Sequence, residues 1–319
     1  MTTPALASLH ARLRLPLIAA PMFLVSGVGL VTAACTAGVV GSFPTANCRS
    51  AEQLDRWMTE IAQRIESAQQ SSGRAAAPVC PNLIVHRSNP RLADDLAVLR
   101  RHRPELVITS VGTPTPVLGP LHDAGARVLA DVASVVHAEK AVAAGADGLV
   151  LLTAGAGGQT GWLNPFAFVR AVRRFYQGPL VLAGGMSDGH ALRAAVALGC
   201  ELAYMGTRFI ATHESMASDA YKSMLVASGA DDIVLTRAFT GLQTNMLRPS
   251  IVAAGLDPDN LPARGAIDIA RDISVEGRDA HRPARWKDVW SAGHSVSGVA
   301  AVMSAAEVIA QTEREFRSA

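Results

Sequence analysis

Residues 151–162 read LLTAGAGGQTGW: an apolar run broken by Gly155, Gly157 and Gly158, then a single amide, Gln159, before Gly161 and a tryptophan. Glycines at this density let a ligand or another segment come close to the main chain. Two more glycine-bearing turns could do chemistry: Gly184-Gly185-Met186-Ser187-Asp188 and Gly206-Thr207-Arg208. Backbone N–H groups unshielded by side chains favour an anion, a phosphate above all. The plainer alternative is that AGG and GT are tight turns and nothing else. The 151–162 stretch is not a dinucleotide fingerprint: counting from Gly155 puts Thr160 where the last glycine of GxGxxG should stand, and such a loop should follow an early strand.

These turns need elements to hold them. Eight apolar runs of strand length recur, at 15–22, 38–43, 78–85, 105–111, 127–132, 148–154, 179–185 and 202–209. Most are apolar on both alternating faces, the pattern of parallel strands covered on both sides. Between them, 51–71, 90–101, 115–124, 134–144, 165–175 and 188–198 read as helices. Ser134 and Ser187-Asp188 are positioned as helix starts, and DAGAR, AAGAD and ALGCE repeat a helix end on glycine just before a strand. Eight alternating units predict a TIM-type (β/α)8 barrel over residues 1–209, with a doubly wound sheet as the alternative. Residues 210–319 predict a mostly helical C-terminal extension near the barrel mouth, with a last helix from about 297 to 317.

In such a barrel ligands bind at the C-terminal ends of the strands. The ends are Pro21-Met22-Phe23, Asn82, the 109–112 turn, Asp131, the glycine run, and the two phosphate-cup turns after the seventh and eighth strands. His213 follows the eighth strand in a segment that must pass the mouth, and is a candidate acid or base. His86 and His294 are further candidates for the wall. His102, His122, His137, His190 and His281 fall on helices or in polar segments and are expected in solvent. Trp162 and Phe166 either wall the pocket or pack their loop onto the next helix. Arg208 offers charge to a phosphate or points outside the barrel.

The chain has 319 residues, 49% apolar, and a formal net charge of +2, with no run of basic residues. Nothing in that balance calls for nucleic acid. Cys35, Cys48, Cys80 and Cys200 form no CxxC pair, which argues against a zinc site or a disulfide framework and suits a reducing cytoplasm. Residues 15–40 lack charge, but Pro16, Pro21, Gly27, Gly29 and Gly38 interrupt them. A buried strand, turn and helix is expected there, not a membrane span.

Taken in order, LPLIAAPM, NLIV, AGAGGQTG, PLVLAGGMSDG, YMGTRFIATHES and WSAGHSVSG resemble the nitronate monooxygenase (2-nitropropane dioxygenase-like) family, which includes related enoyl reductases and NADH:quinone reductases. The resemblance implies FMN and no metal. Gly184, Gly185, Gly206 and Thr207 would hold its phosphate, with Tyr204 and Met205 beside it. Asn82, Gly157, Gly158, Pro21 and Met22 would lie near the isoalloxazine ring, where small residues admit a flat, broad group. Family members typically read AGGH where this chain has Gly157-Gly158-Gln159. The histidine there serves as catalytic base, and an amide cannot take a proton near neutral pH. Asp131 is a second departure, since some relatives carry lysine at that strand end.

The expected function is therefore FMN-dependent oxidation of a small, nitronate-like molecule by O2, with Gln159 and His213 as the active polar groups. The alternative is an NAD(P)H-dependent FMN reductase of quinones or enoyl compounds. A third possibility, from another class, is a phosphate-ligand barrel without redox function.

Overall fold

The eight apolar runs form the eight parallel strands of a closed barrel. The computed structural model describes residues 9–262 and 288–319. In chain order the strands are β1 (Leu17–Ala19), β2 (Val40–Pro44), β3 (Val79–Ile84), β4 (Leu106–Ser110), β5 (Arg127–Val132), β6 (Gly148–Leu152), β7 (Gly158–Gln159), β8 (Leu180–Ala183) and β9 (Leu202–Met205). All but β7 belong to the barrel, which closes where β9 pairs with β1, Tyr204 opposite Ile18. Alternation divides each strand between two cores. Ile18, Val40, Ile108, Val150, Val181 and Leu202 fill the interior. Leu17, Leu149, Leu151, Leu180, Leu182 and Ala203 face the helices outside. Because both faces are buried, the strands have no polar side, which is why they read as continuous apolar runs.

Helices lie where the capping residues place them. Ser134 accepts from His137 N–H to start Val135–Ala144, and Asp188 accepts from Ala191 N–H to start Gly189–Leu198. The repeated helix-end glycines, Gly125, Gly145 and Gly199, all adopt positive φ. Helix Val28–Thr36 follows β1, so the uncharged segment near the start is strand, turn and helix as expected. Among the described residues no helix is long and apolar enough to cross a membrane.

After β9 the structure departs from the expected run of helices. Helices Asp219–Val226, Arg248–Ala253 and Ala305–Ser318 are present, and so are β10 (Ile233–Thr236) and β11 (Thr244–Leu247). These two strands and β7 form a separate antiparallel sheet in the order β10-β11-β7, with Thr244 opposite Gln159 and Asn245 opposite Gly158. The Asn245 amide donates to Ala156 O at 2.7 Å, pinning the loop after β6. The last helix starts at Ala305, capped by Ser304; residues 294–298 form a 3-10 turn instead. That helix packs on Gly189–Leu198 and Val28–Thr36, so it joins the outer ring. The expected proline- and charge-rich middle, 256–285, lies mostly outside the described residues.

Candidate active site

The C-terminal ends of the barrel strands converge on one cavity, roofed by β11 and by residues 291–295. Each wall traces to a strand end. After β1, Pro21 and Met22 line it. Their turn is fixed by Ser26, whose hydroxyl accepts from Met22 N–H at 3.0 Å, and by Asn47, whose amide donates to Met22 O at 3.0 Å. From β3, Asn82 faces in and its Oδ1 accepts from Ser110 Oγ at 3.2 Å. From β5 comes Asp131, and from β6 the Gly155–Gln159 loop.

The turns after β8 and β9, neighbouring strands of the barrel, both border the cavity. Gly184, Gly185, Gly206 and Thr207 all line it. Among the described residues their backbone N–H groups donate to no protein acceptor. Gly184 and Gly185 have φ of 116° and 73°, left-handed values that disfavour any side chain. A Cβ built on Gly185 meets nothing within 4 Å, so the main chain there faces open space. Thr207 also anchors the roof: its hydroxyl accepts from Gly293 N–H at 3.0 Å.

Three glycines of 155–161 are required by the protein's own packing. A Cβ on Gly157 would stand 2.7 Å from Gly293 N, one on Gly155 2.8 Å from the His294 ring, and one on Gly161 2.2 Å from Leu152 O. What presses on this loop is the protein itself, chiefly the 292–294 segment. Gln159 is half-buried in β7 and lines the cavity, as do Gly157, Gly158 and Tyr204.

Two expected site residues are elsewhere. Met205 does not line the cavity: on β9 the side chains alternate, so Tyr204 points inward and Met205 into the barrel–helix layer. His213 is exposed on the outside. Its N–H donates to Met303 O at 2.9 Å while buried Thr212 bridges to the same residue, which turns the histidine to solvent. His86 is half-buried against Ser88 and His294 is exposed; neither lines the cavity. His281 lies outside the described residues. Trp162 and Phe166 are 68% and 62% exposed, so neither walls the pocket nor packs the loop. Arg208 points away from the cup, donating to Gly298 O at 2.6 Å and to Gln311 Oε1 at 3.2 Å.

The roof is completed by Tyr221, Thr240, Leu242 and Thr244, which the sequence did not single out, and by Ser291 and Ala292 of the WSAGHSVSG stretch. Tyr221 is held by its hydroxyl, which donates to Ser291 O, and by stacking on Trp290 at 4.9 Å. The WSAGHSVSG stretch was a visible signal for part of this; Tyr221, alone on an amphipathic helix, carried none.

The electrostatics are simple. Among the described residues no lysine, arginine or histidine lines the cavity. Burial lifts the Asp131 carboxyl from 3.8 to about 8, and burial also holds the Tyr204 phenol well above its ordinary value. At neutral pH the lining is therefore largely uncharged and rich in hydrogen-bond donors, with Asp131 mostly protonated.

A family model described as "Nitronate monooxygenase" matches residues 5–311. The nitronate monooxygenase of Paraburkholderia phytofirmans is 30% identical, over 95% of this chain and 92% of its own. A 5-hydroxy-7a-methyl-1-oxo-octahydro-1H-indene-4-carboxyl-CoA dehydrogenase of Rhodococcus jostii is 27% identical, over 81% of this chain and 69% of its own. Among solved structures, the nitroalkane oxidase of Streptomyces ansochromogenes superposes with a TM-score of 0.78 at 25% identity, over 98% of this chain and 99% of that one.

Proposed function

The chain belongs to the nitronate monooxygenase family, and from that premise we propose that it is an FMN-dependent oxidoreductase that oxidises a small, nitronate-like molecule with O2 as electron acceptor. The observation that carries the flavin reading is the meeting of the β8 and β9 turns. Four N–H groups there find no acceptor among the described residues, and a glycine backbone faces open space. Such a cradle suits a phosphate tail, and the uncharged, donor-rich lining suits a neutral ring beyond it. Bound FMN would supply the electron carrier, taking electrons from the substrate and passing them to oxygen.

The chain's own groups do the rest. Gly184, Gly185, Gly206 and Thr207 would hold the phosphate through main-chain N–H donors. Thr207, by tying Gly293, keeps the roof over the cavity and water out of it. Gln159 orients a substrate by donating and accepting hydrogen bonds, and takes no proton. A substrate whose carbon still carries the proton to be removed is poorly served here, whereas a nitronate arrives with that proton already gone.

A second reading, an NAD(P)H-dependent FMN reductase of quinones or enoyl compounds, is favoured by one observation: the described lining offers no cation to an anionic nitronate. That the Rhodococcus jostii relative is a dehydrogenase points the same way. An absorption spectrum of the pure protein tests the flavin itself; a colourless protein that takes up no added FMN overturns it. Anaerobic mixing then separates the substrates. Loss of the oxidised flavin bands with propane-2-nitronate alone supports the first reading, and loss with NADH alone supports the second.

A further inference from the structure

The cavity floor holds two polar side chains that the reading above leaves idle. Asp131 and Tyr204 come from β5 and β9, across the barrel interior from one another, and both line the cavity. Asp131 Oδ1 and the Tyr204 hydroxyl are each buried, with no hydrogen-bond partner among the described residues. A carboxyl and a phenol left unpaired in an apolar barrel cost free energy, and such groups in native proteins generally have a purpose. Their surroundings decide their protonation. The titratable groups that face Asp131 are Tyr204 and, from β3, Cys80, with Tyr221 above in the roof; burial keeps the thiol and both phenols neutral. The other barrel strands turn aliphatic, amide or hydroxyl side chains inward, Val150, Val181 and Ile108 among them. With no cation to stabilise a carboxylate, Asp131 keeps its proton and becomes a donor, as Tyr204 already is.

We propose that Asp131 is a proton-carrying positioning group for the flavin: with Tyr204 it forms a pair of donors on the cavity floor that receives an acceptor edge of the isoalloxazine ring, carbonyl or ring nitrogen, and grips it only while the carboxyl is protonated. This rests on the flavin reading of the cavity. It makes Asp131 the converse of a lysine at that strand end: an amine can donate hydrogen bonds in either protonation state, whereas a carboxylic acid stops donating as pH rises. An ionised Asp131 would instead set a negative charge against the ring's acceptor atoms.

The test is FMN binding to apoprotein, followed by quenching of FMN fluorescence, with wild type, Asp131→Asn and Tyr204→Phe at pH 7 and pH 9. The carboxyl titrates near pH 8, so the wild-type Kd should rise about tenfold over that interval. Asp131→Asn keeps a donor and cannot titrate, so its Kd should stay flat. Tyr204→Phe should bind more weakly at both pH values and keep the wild-type pH dependence. Infrared spectroscopy of the wild type gives a readout that needs no variant to fold: a protonated-carboxyl band at pH 7 that shifts when FMN is added. The same pH dependence in wild type and Asp131→Asn, or a band unmoved by FMN, overturns the proposal and leaves the flavin reading intact. No FMN binding by the wild type at either pH removes the flavin reading, and this inference with it.

Discussion

Gly184 and Gly185 are neighbours in one turn, yet replacing each by alanine should fail in a different way. A methyl on Gly184 would stand 2.4 Å from Thr153 Oγ1 and 3.1 Å from both Ala154 O and Ala156 N. Thr153 cannot easily yield, because its hydroxyl donates to Ala183 O at 2.6 Å. Overpacking costs ~1–3 kcal/mol and the left-handed backbone ~1–2 kcal/mol more, so Gly184→Ala should lose roughly 2–5 kcal/mol of stability. That is a large share of the ~5–15 kcal/mol by which a domain is held folded. A methyl on Gly185 meets nothing, and only the backbone term of ~1–2 kcal/mol remains. In a chain of this size that lowers Tm by only about 2–4 °C. For FMN the order reverses. The Gly185 methyl enters the cradle proposed for the phosphate, and losing one charged hydrogen bond there, ~1.5–3 kcal/mol, would weaken binding roughly 10- to 150-fold. Melting of the FMN-free protein and FMN titration by fluorescence read the two effects separately. The reasoning is refuted if Gly185→Ala binds FMN as the wild type does while melting as low as Gly184→Ala.

Gln159→His should introduce a group that titrates near neutrality inside the cavity, so turnover of neutral nitroalkanes should appear with a new pH dependence; an unchanged pH–rate profile would remove Gln159 from the site. His213→Ala should leave turnover within twofold of wild type, since the side chain is in solvent away from the cavity; a loss of tenfold or more would show that a charge on the outer face matters. Thr207→Val keeps the volume but strips Gly293 N–H of its acceptor, which costs ~1–3 kcal/mol for a buried donor and should speed amide hydrogen exchange at Gly293. Asp131→Asn bears on the fold as well as on FMN. Because the folded-state carboxyl is raised from 3.8 to about 8, wild-type apoprotein loses stability as pH rises through that window and levels off above it. The variant should therefore gain on the wild type by up to ~1.4 kcal/mol per pH unit between pH 4 and 8 in urea unfolding, and a constant difference would contradict burial as the cause.

The barrel was legible because its strands are apolar on both faces and its helix ends are punctuated by glycine, so local pattern and global fold agree. The roof was not, since β7 is two residues long and pairs with a strand some 85 positions later. No periodicity can report a strand of that length, and the pairing is decided only when the chain closes. Met205 shows a different limit. It adjoins Tyr204 in sequence, and period-two alternation sends the two to opposite faces. His213 failed because proximity to a strand end says nothing about direction, which the Thr212–Met303 bridge sets.

The glycine run 155–161 is the most instructive. Its composition announces a close approach to the main chain, and the approach is real. At Gly155 and Gly157 what comes close is the 292–294 segment, more than 130 residues away in sequence, and at Gly161 it is the β6 backbone at Leu152. Lost side chains record that space is filled and not what fills it. The reverse holds for Asp131, where a buried side-chain oxygen is present and no hydrogen-bond partner among the described residues meets it. An unmet donor in an apolar floor narrows the chemistry of what can bind in a way a glycine cannot, because it demands an acceptor. Among the expected ligand-facing positions the residue types that point to a ligand are therefore the polar ones without partners, and Asp131, legible in the sequence as a strand end and a departure from a lysine, needed the closed barrel around it before its charge state could be argued at all.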